Sequence, residues 1–237
     1  MVGTIAEYSK SNDVDGIKEL VPAIIRKGLE NINMTMFDEE TKTKLLDAVG
    51  EEMFRKGMVK DAMKVLSMTG NKKKLEEIGD YHVGIGLFGT AIDAYALANA
   101  REKLIYTGEK CLRNGSLSDA IKAFKNADHK EKLIEVGDWC IQRDKVDLAI
   151  EVYSALNNTE KLVMLGNRCL EQNMLASAGN AFEAADDKKG LSKLGDIFLK
   201  AGVLVMALKY YKLSGNDLMV EFIKENFSER DLEKIYA

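Results

Sequence analysis

Small and apolar residues recur along the chain at a constant spacing of 29 residues. Six glycines set this register, and each repeat is numbered from its glycine as position 0: Gly50, Gly79, Gly108, Gly137, Gly166 and Gly195. Around each glycine, mostly apolar side chains fall at −4, −1, +3 and +4, which together form one face of a helix with 3.6 residues per turn. The pattern predicts a first helix from about −6 to +5 in every repeat.

A second helix is predicted from about +8 to +19, with apolar residues at +9, +12, +13 and +16. Position +12 is alanine in all six copies, and +16 is leucine or aromatic: Leu66, Tyr95, Phe124, Tyr153, Phe182 and Tyr211. Glycine, asparagine or aspartate stands at +7 and +20, and these residue types tolerate the left-handed backbone that ends helices. The small residues at 0 and +12 predict a close helix crossing with the +16 side chain beside it. The chain is therefore predicted to be all-α.

Three segments follow from this register: an N-terminal helical cap at 1–44, six repeats at 45–220 and a C-terminal capping helix at 221–237. In the first segment we predict short helices near 4–10 and 14–20 and a third that starts at Pro22, since proline is tolerated in a first helical turn. Thr35 or Asp38 is expected to cap the first repeat. The charged amphipathic tail is expected to cover the apolar face of the last repeat.

The order of small residue, turn residue, alanine and aromatic at 0, +7, +12 and +16 resembles the tetratricopeptide repeat. The clearest copy is Leu133–Leu156, LIEVGDWCIQRDKVDLAIEVYSAL, and the resemblance covers about 46–220. The period is 29 instead of 34, and the proline of the tetratricopeptide turn is missing. Shorter helical repeats of coatomer-type and intraflagellar-transport solenoids are also similar. The resemblance implies a right-handed α-solenoid of about six helix–turn–helix repeats whose concave face binds proteins or peptides.

Composition narrows the possible functions. Lys and Arg number 34 and Asp and Glu 38, so the net charge is −4 and gives no general electrostatic reason to bind nucleic acid. No segment has the roughly 20 consecutive apolar residues of a membrane span, so we expect no membrane insertion. No signal peptide is visible at the N-terminus, and we expect a cytoplasmic protein.

Local motifs give no support for an enzyme. The string GIGLFG at 84–89 matches a dinucleotide fingerprint, but it follows a predicted helix instead of the required strand, and Gly86 is the +7 break of its repeat. Cys111, Cys140 and Cys169 all stand at +3, where they are predicted to be buried thiols without metal-ligand spacing. His82 occupies the same inner slot. We therefore expect no cofactor and no metal.

The candidate binding surface lies beside the core stripe of the first helices. Position −3 is β-branched and apolar in the three middle repeats, as Ile105, Ile134 and Val163. These residues predict an apolar strip, or alternatively an extension of the core. Position +1 is mostly acidic and borders the strip, with glutamates at −6; the bordering residues are Asp80, Glu109, Asp138 and Asn167, with Glu102, Glu131 and Glu160. An alternative role for the +1 carboxylates is support of their own helix through basic residues four positions on, such as Arg55 and Arg113.

The favoured function is therefore a non-enzymatic scaffold that binds a protein or peptide with apolar anchors and basic flanks in the concave groove. An assembly subunit of a coat- or transport-type complex, acting through the ends of the solenoid, is the alternative. A small-ligand-binding regulator or enzyme is a third possibility.

Overall fold

The structure of the protein, a computed structural model, describes residues 14–227. Helices make up 80% of them, no strand occurs in this range, and the predicted all-α class is confirmed. The predicted helix near 4–10 and the end of the tail lie outside the described residues. The α-helices are α1 (Val14–Lys27), α2 (Glu39–Arg55), α3 (Val59–Thr69), α4 (Lys72–Gly84), α5 (Phe88–Ala98), α6 (Arg101–Arg113), α7 (Leu117–Asn126), α8 (Lys130–Gln142), α9 (Val146–Ala155), α10 (Thr159–Glu171), α11 (Leu175–Ala185), α12 (Lys188–Lys200), α13 (Leu204–Ser214) and α14 (Asp217–Asn226).

These helices form two compact units, divided between Asp128 and His129. The first unit holds α1 and repeats 1 to 3, in which α2 packs on α3, α4 on α5 and α6 on α7. The second unit holds repeats 4 to 6, which pair α8 with α9, α10 with α11 and α12 with α13, followed by α14. Second helices of neighbouring repeats also pack on one another within a unit, as α3 does on α5 and α9 on α11. Helix pairs in succession are therefore the building unit of both halves.

The predicted breaks are confirmed in all six repeats. The φ angle at +7 lies between 55° and 79°, and at +20 between 47° and 71°. Elsewhere in the described chain, the one other residue with a positive φ is Gly28, at 85°. Glycine, asparagine and aspartate adopt this conformation at low steric cost, so the sequence ends each helix locally.

The glycine at position 0 lies directly beneath the +16 side chain of its own repeat. A Cβ atom added to Gly108 would lie 2.6 Å from Cε1 of Phe124, and one added to Gly195 would lie 2.6 Å from Cε1 of Tyr211. The +16 side chains and the +12 alanines are buried in every repeat. Only glycine leaves room for the buried ring at this crossing, which explains why the register is so regular.

The prediction of two helices around Pro22 is wrong, because a single helix, α1, runs through it. Counting back 29 residues from Gly50 places Val21 at position 0 and Gly28 at +7. Val21 and Ile24 are buried on the core of repeat 1, and this tertiary packing outweighs the unfavourable proline. α1 is therefore the first helix of an incomplete repeat.

No second helix follows α1. The eleven residues from 28 to 38 hold only a 3₁₀ turn, Leu29–Asn31, before α2 begins. Asp38 caps the N-terminus of α2, and its side chain accepts a hydrogen bond from the Thr41 amide at 2.7 Å. Of the two predicted caps, Thr35 and Asp38, the second is therefore confirmed. A connection this short has no room for a helix of the length of α3.

α14 likewise occupies the place of a first helix. It begins at Asp217, four residues before the predicted boundary at 221, because Asn216 caps it by accepting a hydrogen bond from the Met219 amide. Val220 and Ile223, at −4 and −1 of this register, are buried against Tyr211. α14 thus covers the end of repeat 6 in the manner of another repeat.

Candidate functional site

The predicted apolar strip at −3 lies at the boundary between core and solvent. In the first unit, Ile105 on α6 is half-buried. In the second unit, Ile134 on α8 is 45% exposed, and Val163 on α10 is half-buried. None of the three side chains is fully buried, and Ile134 is the most accessible of them.

The carboxylate of Asp80 is engaged inside the first unit. It accepts a hydrogen bond from the hydroxyl of Tyr95, the +16 residue of its own repeat, at 2.7 Å. Its two oxygens also lie 2.9 and 2.7 Å from Nζ of Lys103, at −5 of the next repeat. Asp80 therefore joins both helices of repeat 2 to the first helix of repeat 3.

Asp138 makes the equivalent contacts in the second unit. The hydroxyl of Tyr153 donates to it at 2.6 Å, and Nζ of Lys161 donates at 3.1 Å. The Tyr153 hydroxyl and Lys161 lower the pKa of Asp138 despite its partial burial. Burial, followed by the hydrogen bond to Asp138, raises the pKa of Tyr153 above its ordinary value. The pair therefore consists of a carboxylate and a neutral phenol at neutral pH.

These contacts were not predicted from the sequence, although the residue types at +1 and +16 indicate them. Tyrosine at +16 occurs with aspartate at +1 in repeats 2, 4 and 6, and the third such pair, Tyr211 and Asp196, is 2.6 Å apart. In repeats 1, 3 and 5 the +16 side chain lacks a hydroxyl and +1 is Glu or Asn. The two positions change together because a buried hydroxyl needs an acceptor.

The remaining +1 residues behave differently. Glu51 lies 3.4 Å from Nζ of Lys74 in the next repeat, while the basic residue four positions on, Arg55, contacts Glu52. Glu109 is half-buried. Asn167 donates to the carbonyl of Val163 on its own helix at 3.0 Å.

A different contact joins repeats 5 and 6. Gly190 stands at −5 of repeat 6, in place of the lysine at that position in repeats 2 to 5. A Cβ there would collide with the ring of Phe182, so the glycine packs flat on it. Lysines at the equivalent position instead lie over tyrosine rings, with Lys103 Nζ 5.5 Å from the centroid of Tyr95. At this first-helix position the step from repeat 5 to repeat 6 therefore depends on shape, while Lys209 and Glu183 form an ion pair between the second helices of the two repeats.

Grooves lie between successive first helices in the first unit. One of about 320 Å³, between α4 and α6, is lined by Asp80, Val83, Tyr95, Glu102, Lys103 and Tyr106. A second, of about 210 Å³, lies between α2 and α4 and is lined by Glu51, Phe54, Arg55, Leu66, Lys74, Glu77 and Ile78. Both use the same repeat positions, +1, +4, +16 and the next −5 and −2. The repeat therefore builds a groove at each of these two steps.

The largest exposed apolar side chains of the first helices stand at −2 and +2. Tyr81 and Tyr106 are each 57% exposed in the first unit, and in the second unit Trp139 is 38% and Met164 44% exposed. These four side chains were not predicted from the sequence, because the predicted binding surface included only positions −6, −3, +1 and +5. We call the side chains at −6, −3, −2, +1 and +2 of the first helices in one unit the first-helix surface of that unit.

The cysteines, the GIGLFG string and His82 lie in the core or in a turn of their repeats. Cys111, Cys140 and Cys169 are free and buried, and burial raises the pKa of the Cys111 thiol to about 11. Gly86 is the left-handed break between α4 and α5, so the GIGLFG string is a repeat turn. Nδ1 of buried His82 lies 2.8 Å from the carbonyl oxygen of Ile78.

Comparison with known proteins does not extend these observations. No protein-family model matches the chain, and no curated protein matches it. None of the helices between residues 14 and 227 combines the length and apolar character of a bilayer span.

Proposed function

We propose that the chain is a tetratricopeptide-like, non-enzymatic scaffold that binds a protein or peptide segment on its first-helix surface. The groove between α4 and α6 carries the proposal. Tyr106 stands at its edge, 57% exposed, on a helix held by the Lys103–Asp80 ion pair. An exposed aromatic side chain beside a groove is a frequent anchor point of protein interfaces. The order of residue types at 0, +7, +12 and +16 supports the tetratricopeptide-like assignment.

The contacts of the carboxylates refine the chemistry of the partner. Asp80 and Asp138 already bind lysine and tyrosine, so they contribute little net charge to a ligand. The glutamates at −6 lie on the exposed side of their helices: Glu102, Glu131 and Glu160. Among them, Glu131 lies 3.1 Å from Nδ1 of His129. The proposed partner therefore places apolar anchors against residues such as Tyr106 in the first unit, or against residues such as Ile134 in the second unit, with basic residues flanking them.

Two single variants test this surface, one in each unit. Tyr106→Asp and Ile134→Asp place a charge on exposed positions, so circular dichroism should show folded proteins with thermal melts close to wild type. Crosslinking followed by mass spectrometry should then show loss of partners that wild type captures. Leu97→Asp, on second helix α5 at 44% exposure, is the matched control and should retain them. Folded Tyr106→Asp and Ile134→Asp proteins that capture every wild-type partner would refute the proposal.

An assembly subunit is the second candidate function. Leu218 at the start of α14 is 76% exposed, the largest value among the exposed large apolar side chains. Light scattering after size exclusion should show concentration-dependent self-association if this end is an assembly contact, and Leu218→Asp should abolish it. A monomer at all concentrations would leave the scaffold function favoured.

A further inference from the structure

A second exposed apolar surface lies at the N-terminal edge of the first unit. Residues 58, 61, 65 and 68 follow a spacing of three, four and three, so they form one stripe along α3. Met58 is 36% and Met68 62% exposed, and Val65 lies buried between them. The stripe forms one wall of a groove of about 430 Å³, lined by Ile25, Gly28, Leu29, Glu30, Met53, Met58, Asp61, Lys64, Val65 and Met68.

This groove lies where the second helix of the incomplete first repeat would pack. In complete repeats, a second helix packs on the second helix that precedes it, as α5 does on α3 and α7 on α5. The contact uses +15 of the later helix: Ala94 belongs to the same core cluster as Met63 of the preceding repeat. Val65 is the +15 residue of α3. It is buried in the core cluster of Val21 and Ile24, against which Leu29 packs, and not against a second helix, because the residues between Lys27 and Glu39 form none.

The lysines at +14 also indicate that a helix is missing beside α3. Lys122, at +14 of α7, lies 2.7 Å from Asp93 on the preceding second helix. Lys209, at +14 of α13, lies 2.8 Å from Glu183 on its preceding second helix. Lys64 is the +14 residue of α3, and it is exposed and makes no ion pair with any described residue. A helix in the groove would complete this pair with a carboxylate, and it would place basic or neutral side chains beside Glu30 and Asp61, which also line the groove.

We propose that this edge is a docking site for a three-turn amphipathic helix of a partner protein, which takes the place of the missing second helix. Its apolar side chains, spaced i, i+3 or i+4 and i+7, pack on Met58 and Met68, on either side of buried Val65, and a carboxylate on its flank faces Lys64. Such a helix of 11 residues is about 16 Å long, which matches the length of α3. The site is separate from the first-helix surface and does not rest on the function proposed for it.

The test selects ligands for the full chain from a displayed library of helix-constrained 13-residue peptides. We expect enriched peptides to carry the apolar spacing and a carboxylate, and to lose about tenfold or more in affinity against Met68→Asp. Leu97→Asp, at the same +18 position one repeat later, is the control and should bind as wild type does. Lys64→Glu should weaken binding, and exchange of the peptide carboxylate for lysine should restore it. This charge exchange carries the test if Met68→Asp fails to fold.

Several outcomes would overturn the proposal. One is that no peptide is enriched on wild type over Met68→Asp, or that the enriched peptides bind both equally. Wild-type dimerisation that Met68→Asp abolishes would assign the site to a second copy. Binding that occurs only after deletion of residues 1–13 would assign it to the chain itself.

Discussion

Gly108→Ala probes the contact that sets the repeat register. The new Cβ would lie 2.6 Å from Cε1 and 2.9 Å from Cζ of Phe124, whose side chain is fully buried. Neither the ring nor the backbone of α6 can shift freely, so overpacking should cost about 1–3 kcal/mol. The higher helix propensity of alanine offsets about 1 kcal/mol of this. We expect a net loss of up to about 2 kcal/mol in the free energy of unfolding.

Gly84→Ala is the matched control, because it makes the same chemical change on a first helix. A Cβ on Gly84 meets no atom within 4 Å, so the propensity gain should remain, and the protein should gain about 0.5–1 kcal/mol. Urea unfolding followed by far-ultraviolet circular dichroism measures both variants. A Gly108→Ala protein as stable as Gly84→Ala would show that the glycine is not required by the ring above it.

Three further predictions concern polar groups and thiols that are partly or fully buried. Because the pKa of Asp138 is lowered in the folded protein by Tyr153 and Lys161, its contribution to stability is present above about pH 4 and is lost as the pH falls further. Asp138→Asn should therefore flatten the fall of the urea midpoint below about pH 4; an unchanged pH profile would contradict this. Thr107→Val should stabilise by about 1 kcal/mol in urea unfolding, because the Thr107 hydroxyl is buried without a hydrogen-bond partner in the described chain; a loss of stability would show that the hydroxyl is satisfied. The three buried cysteines should react with a thiol reagent at about pH 8 only after urea unfolding, and fast reaction of the native protein would contradict their burial.

The sequence predicted the repeat helices well because their ends are decided locally. Each break falls on a residue that tolerates a positive φ, such as Gly86 or Asp144, and each first helix has an apolar stripe around one glycine. Neither signal depends on distant parts of the chain. The bounds of α4 to α13 accordingly lie close to the predicted offsets.

The flanks and the surface were harder to predict. α1 and α14 follow the same register, but Val21 and Lys224 stand where the other repeats have glycine, so the repeat was not visible there. Pro22 indicated a helix start, yet the buried side of α1 kept the helix continuous. The exposure of the side chains at −2 and +2 depends on the distance to the first helix of the neighbouring repeat. The apolar pattern of a single helix gives no information on that distance.

Glycine stands at residue 190 where repeats 2 to 5 have lysine. The contacts between neighbouring repeats of the second unit therefore respond differently to ionic strength. Salt screens exposed ion pairs, so it weakens the step from repeat 4 to repeat 5, where Lys161 binds Asp138. The step from repeat 5 to repeat 6 combines an ion pair between Lys209 and Glu183 with the ring of Phe182 packed on Gly190, and salt weakens the ion pair but leaves the ring contact intact. In a stack whose stability is a sum of neighbour contacts, a rise in ionic strength therefore weakens the first-helix contact of repeat 5 with repeat 4 more than that of repeat 6 with repeat 5.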